Sequence, residues 1–512
     1  MTTSLARIFA CGTVLAAFAA PADAVNLAPN GLGQVLIYPY YTVNAHQQTL
    51  VSVVNTTSVG KVVRVRFREA YNGRIVFQFN LYLSAYDAWT ANVFALSDAN
   101  ITGELAGLAT SDESCTDPPL NATFGGVPGK AYRSFAADQY TGLSADTGPA
   151  GDARTREGHI EMILMSDVLP DSALFHDITH VNGVPPGCTP ALLENAGGYT
   201  APTLDPLTGN AGTAADGGLF GSASIVDVAG GVFYAYNADA LDGFSYRSLY
   251  TLPNDPQPTL ASVNDRNDAD SATALVFVDG ASVAATFPGT TQGSRKVDAV
   301  SAVFTANYVY NEYVAAPDGS SGTDWVVVLP TKHLYVDTQP GGAIAGAANS
   351  FAPFERPFGA LNAGKSCVMT VNSLRVFDRD ENVFVQDYCG FSTCPPGLPG
   401  SYKLCLQTNV LTFSLDRGSV LGSQLISADT RIRPVGVGGW LAMDLSQSYH
   451  QLYPASNGDI FHGLPLTGFA AIKFVNGTVP VAGAGSALAN YSGVYHHRAA
   501  SRCTNSGDEA CQ

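Results

Sequence analysis

The feature that most constrains this chain is a pair of alternating segments joined by a tight-turn dipeptide. Val63, Val65 and Phe67 alternate with Arg64, Arg66 and Arg68. Successive side chains of an extended strand point to opposite faces, so the pattern predicts a half-buried strand, apolar toward a core and basic toward solvent. Asn72-Gly73 follows, a dipeptide suited to the positive φ angles of a hairpin turn. The next segment places Ile75, Phe77, Phe79, Leu81 and Leu83 on one face. Residues 35–38 and 49–54 add two more apolar runs, and Pro39 marks the first as an edge strand or a kink. Several antiparallel strands within about sixty residues read as one sheet of a β-sandwich.

The same logic continues along the chain. Strands are expected at 159–165, 222–226 and 232–236. In the second half they are expected at 274–278, 300–310, 325–329, 368–377, 382–385, 404–413, 440–445 and 469–474. Residues 135–157, 196–217 and 337–364 are rich in small residues and read as long surface loops. Thr189-Pro190 opens a short capped helix ending near Gly197. The Pro-, Asn- and Asp-rich stretch 251–271 reads as a boundary. The expected fold class is therefore all-β, with two β-sandwich domains, Ig-like or jelly-roll-like, long Gly-rich loops and few short helices. The domains are 25–255, with loop insertions, and 265–500, followed by a disulfide-bearing tail at 501–512. One continuous larger β structure is the alternative.

Residues 1–24 read as a secretory signal peptide: a short basic start ending at Arg7, an apolar stretch from Ile8 to Ala20, and Ala22-Asp23-Ala24 as a cleavage site. Cys11 lies within the apolar stretch rather than closing it, which argues against a lipoprotein signal. No other run approaches the ~18 apolar residues of a membrane span, so no transmembrane segment is expected. An outer-membrane barrel is disfavoured by the Gly-rich loops and by the cysteines. Cleavage leaves Cys115, Cys188, Cys367, Cys389, Cys394, Cys405, Cys503 and Cys511, an even set in an oxidising compartment. Spacing suggests Cys389–Cys394 and Cys503–Cys511 as local loops, with Cys115–Cys188 and Cys367–Cys405 as longer clasps. Eight cysteines allow about a hundred connectivities, so spacing alone does not decide. No C-x2-C pair supports zinc. A net charge of −17 argues against nucleic acid and anionic membranes as partners.

Each candidate for chemistry has a plainer reading. Residues 359–366 match the phosphate-cradling G-x-x-x-x-G-K-[ST] loop, but no strand precedes them and Cys367-Val368-Met369 favours a strand after them. Asp146-Thr147-Gly148 resembles an aspartic-protease triplet, yet no second triplet supplies the paired carboxylate. His176 and His180 have the spacing of metal ligands without the required Glu, and His496-His497 is weaker still. Asp378, Asp380 and Asn382 have the spacing of a calcium loop, with Val383 where the EF-hand form needs Gly; a charged turn between strands is the plainer reading. Calcium is the only cofactor that enters the reckoning. Asp265, Asn267, Asp268 and Asp270 form a second acidic cluster. No G-x-S-x-G elbow occurs. Tyr38, Tyr40 and Tyr41, and Tyr308, Tyr310 and Tyr313, are candidates for a glycan-binding aromatic face; the plainer reading is that they cover strands and pack cores or interfaces.

Seven stretches resemble a known group: TLVSVVNTT (49–57), VRVRFREAYNG (63–73), FNLYLSAYDAWTANV (79–93), GHIEMILMSDV (158–168), ALDGF (240–244), GTDWVVVLPTKHLYV (322–336) and SVLGS (419–423). Together they resemble a family of exported proteobacterial proteins labelled "cell surface protein". The resemblance spans both halves and implies a bacterial, surface-exposed protein. It implies no activity and no site residues. The expected function is a non-enzymatic extracellular structural or adhesive surface protein that self-assembles into a filament or layer or binds cell-surface components. A carbohydrate-binding module and a secreted hydrolase are the alternatives. Residues 25–43 could add a strand to a neighbouring copy's sheet, or pair within their own domain.

Overall fold

The computed structural model describes residues 24–120, 132–189, 193, 195–201, 217–289, 295–359, 364–369, 374–385, 402–414, 418–483, 485–505, 507 and 511. Residues 1–23 of the expected signal peptide and the Cys389–Cys394 pair lie outside these residues, as do residues 190–192 and 194 of the expected 189–197 helix. The fold is predominantly β, with several sheets and few short helices. No helix among the described residues is long and apolar enough to cross a membrane.

Two sheets dominate the first half. In the first, the strands run in the order Asn26–Leu27, Asp239–Asp242, Val35–Thr42, Glu157–Val168, Gly60–Glu69, Ile75–Leu83, Cys115–Asp117, with Thr200–Ala201 also paired to Glu157–Val168. In the second, the order is Val232–Asn237, Leu219–Asp227, Gln48–Asn55, Ala88–Ala95, Ala106–Ala109, Arg133–Ser134. All of these pairings are antiparallel. Alternation explains their contact: Leu36, Tyr38, Val63, Val65, Phe67, Phe79 and Leu81 from one sheet share a core with Val51, Val53, Trp89, Val93, Ile225 and Tyr234 from the other. The Asn72-Gly73 hairpin forms as expected, with Gly73 at φ 69°.

Pro39 does not sit at an edge. Its strand, Val35–Thr42, is buried throughout and paired on both sides. The missing N–H is tolerated because the pairing to Asp239–Asp242 ends at Ile37, and a bulge against Gly158–Ile160 interrupts the other ladder there. Asn26–Leu27 and Val35–Thr42 therefore pair within their own sheet, the second of the two arrangements expected for residues 25–43.

The second half carries a five-stranded sheet in the order Val383–Val385, Leu374–Asp378, Gly438–Asp444, Tyr308–Val314, Arg498–Ala500. It also carries a four-stranded sheet in the order Thr408–Thr412, Ser321–Val328, Thr467–Phe474, Tyr491–His496. Trp325, Val327, Leu411 and Ala470 on one face of the four-stranded sheet pack with Val309, Tyr313, Val376, Leu441 and Met443 of the five-stranded one. The opposite face of that sheet offers Val326, Val410, Phe469 and Ala471 to the core of the first half. Phe469 stacks on Tyr236 at 4.8 Å. One sheet thus buries both faces and joins the halves.

The expected strand at 300–310 begins instead as a helix, Val297–Phe304. A short apolar run does not distinguish a buried strand from a buried helix. Here all eight residues of the helix are buried, among the hairpin Ser271–Val278/Ala281–Pro288 and residues of both halves. Disulfides join Cys115 to Cys188, Cys367 to Cys405 and Cys503 to Cys511.

Candidate functional site

The residues nominated for chemistry are engaged in structure. Asp378 Oδ1 accepts the backbone N–H groups of Asp380 (2.8 Å) and Asn382 (2.9 Å), and Asn382 Nδ2 donates to its Oδ2 (2.8 Å). Those bonds, the Asn382 side chain's first, hold the Asp378 carboxyl below its ordinary pKa. The three residues form an aspartate-closed turn between two strands. Among the described residues, no group of three or more His, Cys, Asp or Glu side chains is placed to hold a metal. Asp265 accepts from Ser271 and Thr273. His180 faces Ser84 and Asp87, at 3.4 and 3.7 Å, and His176 lies on the short helix Ala173–Ile178. In the phosphate-loop match, the Ser366 hydroxyl donates to the Arg356 carbonyl and the short strand Val368–Met369 follows.

Asp146 belongs to a buried ionic network. Arg154 forks onto Glu69 (2.8 and 3.0 Å) and onto Asp146 (2.8 and 2.7 Å), with its guanidinium 4.3 Å from the centre of the Tyr140 ring. Asp239, His496 and Ser501 do share a small cleft. However, His496 spends Nε2 on Asp239 (3.0 Å) and Nδ1 on the His497 carbonyl (3.0 Å), while the Ser501 hydroxyl donates to the Thr305 carbonyl (2.8 Å). The serine and histidine are not hydrogen-bonded to one another, as nucleophilic catalysis requires.

The largest departure from the sequence reading is the arginine face. Arg64, Arg66 and Arg68 are 0%, 0% and 3% exposed. The segment expected as a boundary crosses over Arg64 and Arg66 and supplies backbone carbonyls. Arg64 donates to the carbonyls of Leu252 (2.7 Å), Asp255 (2.8 Å) and Gln257 (3.0 Å), and through Nε to Asn80 (2.7 Å). Arg66 donates to Pro256 (2.9 Å) and to Pro258. Burial pushes the Arg64 guanidinium down to about 10. Arg68 pairs with Glu161 at 2.6 Å, and Arg74 with Asp337 at 2.6 Å. Alternation reveals that a face is polar, not that another segment covers it.

A second buried carboxylate ties the halves together. Glu157 accepts from Tyr40 (2.7 Å), Asn44 (3.0 Å), Ser423 (2.7 Å) and the Gln424 N–H (2.9 Å). Burial raises its pKa, and the four donors oppose that rise.

The outer face of the second sheet has the opposite character. Cross-strand neighbours there are Leu50 with Ser224 and Asn92, Ser52 with Ser222 and Thr90, Val54 with Phe220 and Ala88, and Val226 with Phe233. No Asp, Glu, Lys, Arg or His stands on this face of the four strands Gln48–Asn55, Ala88–Ala95, Leu219–Asp227 and Val232–Asn237. Leu50, Phe220 and Phe233 are 45%, 42% and 53% exposed. The face holds a shallow depression of ≈ 560 Å³ lined by Leu50 and by Ser52, Thr90, Asn92, Ser222 and Ser224. No family model, curated protein or solved structure matches the chain.

Proposed function

We propose that this is an exported, non-enzymatic structural or adhesive protein of the cell exterior, which associates with copies of itself through the outer face of its second sheet. In this reading each half is a β-sandwich, the first closed by its two large sheets and the second by its four- and five-stranded sheets. The observation that carries the proposal is the uncharged face with Leu50, Phe220 and Phe233 exposed. A chain of net charge −17 repels its own copies over most of its surface. A charge-free face lets two copies approach without burying unpaired charge, and exposed apolar groups on it favour contact.

Four strands at about 4.8 Å spacing and about 25 Å length give a patch of roughly 500 Å². Two copies would bury roughly 1,000 Å² in total, at the low end for a specific interface. Such a contact is weak singly and gains strength by repetition, as in a layer or filament. The leader, the disulfides and the resemblance to exported cell-surface proteins support the location. Sedimentation velocity of the mature chain against the Leu50→Lys/Phe220→Lys variant tests the reading. Wild type should associate with rising concentration while the variant stays monomeric; equal association of the two would refute it.

A further inference from the structure

A cleft of ≈ 370 Å³ opens beside the arginine face, between the first sheet and the segment after Ser321–Val328. Buried Arg68, Arg74 and His333 line it, along with the half-buried Arg295. Exposed Gln139 and Gln257 stand at its rim. Of the carboxylates beside it, Glu161 pairs with Arg68 through Oε2, Asp337 pairs with Arg74, and Asp298 accepts the backbone N–H of Arg295 (2.7 Å). Arg295 donates to the Leu334 carbonyl (2.6 Å) and lies over the Tyr335 and Phe351 rings. Its contacts fix the guanidinium's position.

His333 is the second observation. The Gln407 side-chain oxygen accepts the His333 backbone N–H (3.0 Å), which orients the amide and aims its NH2 at His333 Nδ1 (3.2 Å). Nδ1 is therefore an acceptor, and the neutral ring carries its proton on Nε2. Burial holds the imidazole well below its ordinary pKa, so it stays neutral. That Nε2 has no hydrogen-bond partner in the protein, although His333 is 4% exposed. A buried donor without a partner carries a desolvation penalty, which an acceptor bound there would relieve.

We propose that this cleft binds the carboxylate of an acidic sugar residue, with Arg295 and His333 as its donors. Guanidinium groups bind carboxylates through charge-assisted hydrogen bonds. The volume lies in the range of small-ligand sites, and the amides of Gln139 and Gln257 can bond to sugar hydroxyls. The site is separate from the uncharged face of the second sheet and does not depend on self-association. The test is titration calorimetry on the full, disulfide-bonded chain carrying Leu50→Lys/Phe220→Lys, with trigalacturonate, neutral trigalactose and sodium sulfate as probes. Trigalacturonate should bind saturably, sulfate should compete with it, and trigalactose should bind at least tenfold more weakly. Arg295→Gln should weaken trigalacturonate at least tenfold, whereas the remote Arg498→Gln should not. Absence of saturable binding, equal binding of the neutral sugar, or equal effects of the two arginine variants would each overturn the proposal. Sulfate competition with the unaltered cleft keeps the test decisive if Arg295→Gln fails to fold.

Discussion

Replacing Arg64 with Ala tests whether the buried arginine face holds the 251–258 segment in place. The guanidinium makes close bonds to the Leu252, Asp255 and Gln257 carbonyls and to Asn80. A hydrogen bond to a charged donor contributes about 1.5–3 kcal/mol. Four such bonds do not sum to their gross value, because burying the guanidinium itself costs several kcal/mol. Leu252 and Gln257 are exposed, so their carbonyls regain water when the arginine is lost, whereas Asn80 is buried and does not. The expected net loss is about 3 kcal/mol. Arg64→Lys keeps the charge but loses the planar fork that reaches several carbonyls at once, and should cost about 2 kcal/mol. Urea unfolding gives the magnitude, and limited proteolysis shows whether cleavage appears within 251–258. A variant within about 0.5 kcal/mol of wild type, with that segment still resistant, would refute the reasoning.

Three further perturbations probe other joints. Removing the Cys115–Cys188 bridge, which closes a separation of 73 residues, should cost about 4 kcal/mol by loop entropy, read as a lowered unfolding midpoint for Cys115→Ala/Cys188→Ala. Glu157→Ala strands four donors drawn from both halves and should cost about 4 kcal/mol, while Glu157→Gln should cost less; denaturant midpoints distinguish them. The hydrogen bond that His496 donates to Asp239 raises the His496 pKa, so its stabilisation is complete below the unfolded-state pKa and is lost as pH rises through the folded value. The contact between residues 239 and 496 should weaken from acid to alkaline pH, and Asp239→Asn should remove that dependence in a stability-against-pH series.

What could be read from the chain alone followed from period. Val63, Val65 and Phe67 reach the core because alternation fixes which face is apolar. The hairpin at Asn72-Gly73 follows from local turn chemistry. What failed were the features set by the packing of distant segments. Arg64 and Arg66 are covered by carbonyls nearly two hundred residues away in the chain, which no local pattern encodes. Pro39 is central because the neighbouring ladder stops at Ile37, a property of its partner strands. Residues 300–304 are helical and buried on every side, and a short apolar run of this kind does not distinguish helix from strand. The uncharged face was present in the alternate residues of four strands, but became visible only once register placed Leu50, Ser52, Ser222 and Thr90 side by side.

The most direct test of the central claim is hydroxyl-radical footprinting of the mature chain, dilute and concentrated. Leu50, Phe220 and Phe233 are open on the proposed contact face, while Phe277, 70% exposed, lies on the separate hairpin Ser271–Val278/Ala281–Pro288 and serves as the internal reference. Self-association through that face should slow oxidation of Leu50, Phe220 and Phe233 as concentration rises and leave Phe277 unchanged. Unaltered oxidation at all three while the protein demonstrably associates would contradict the account.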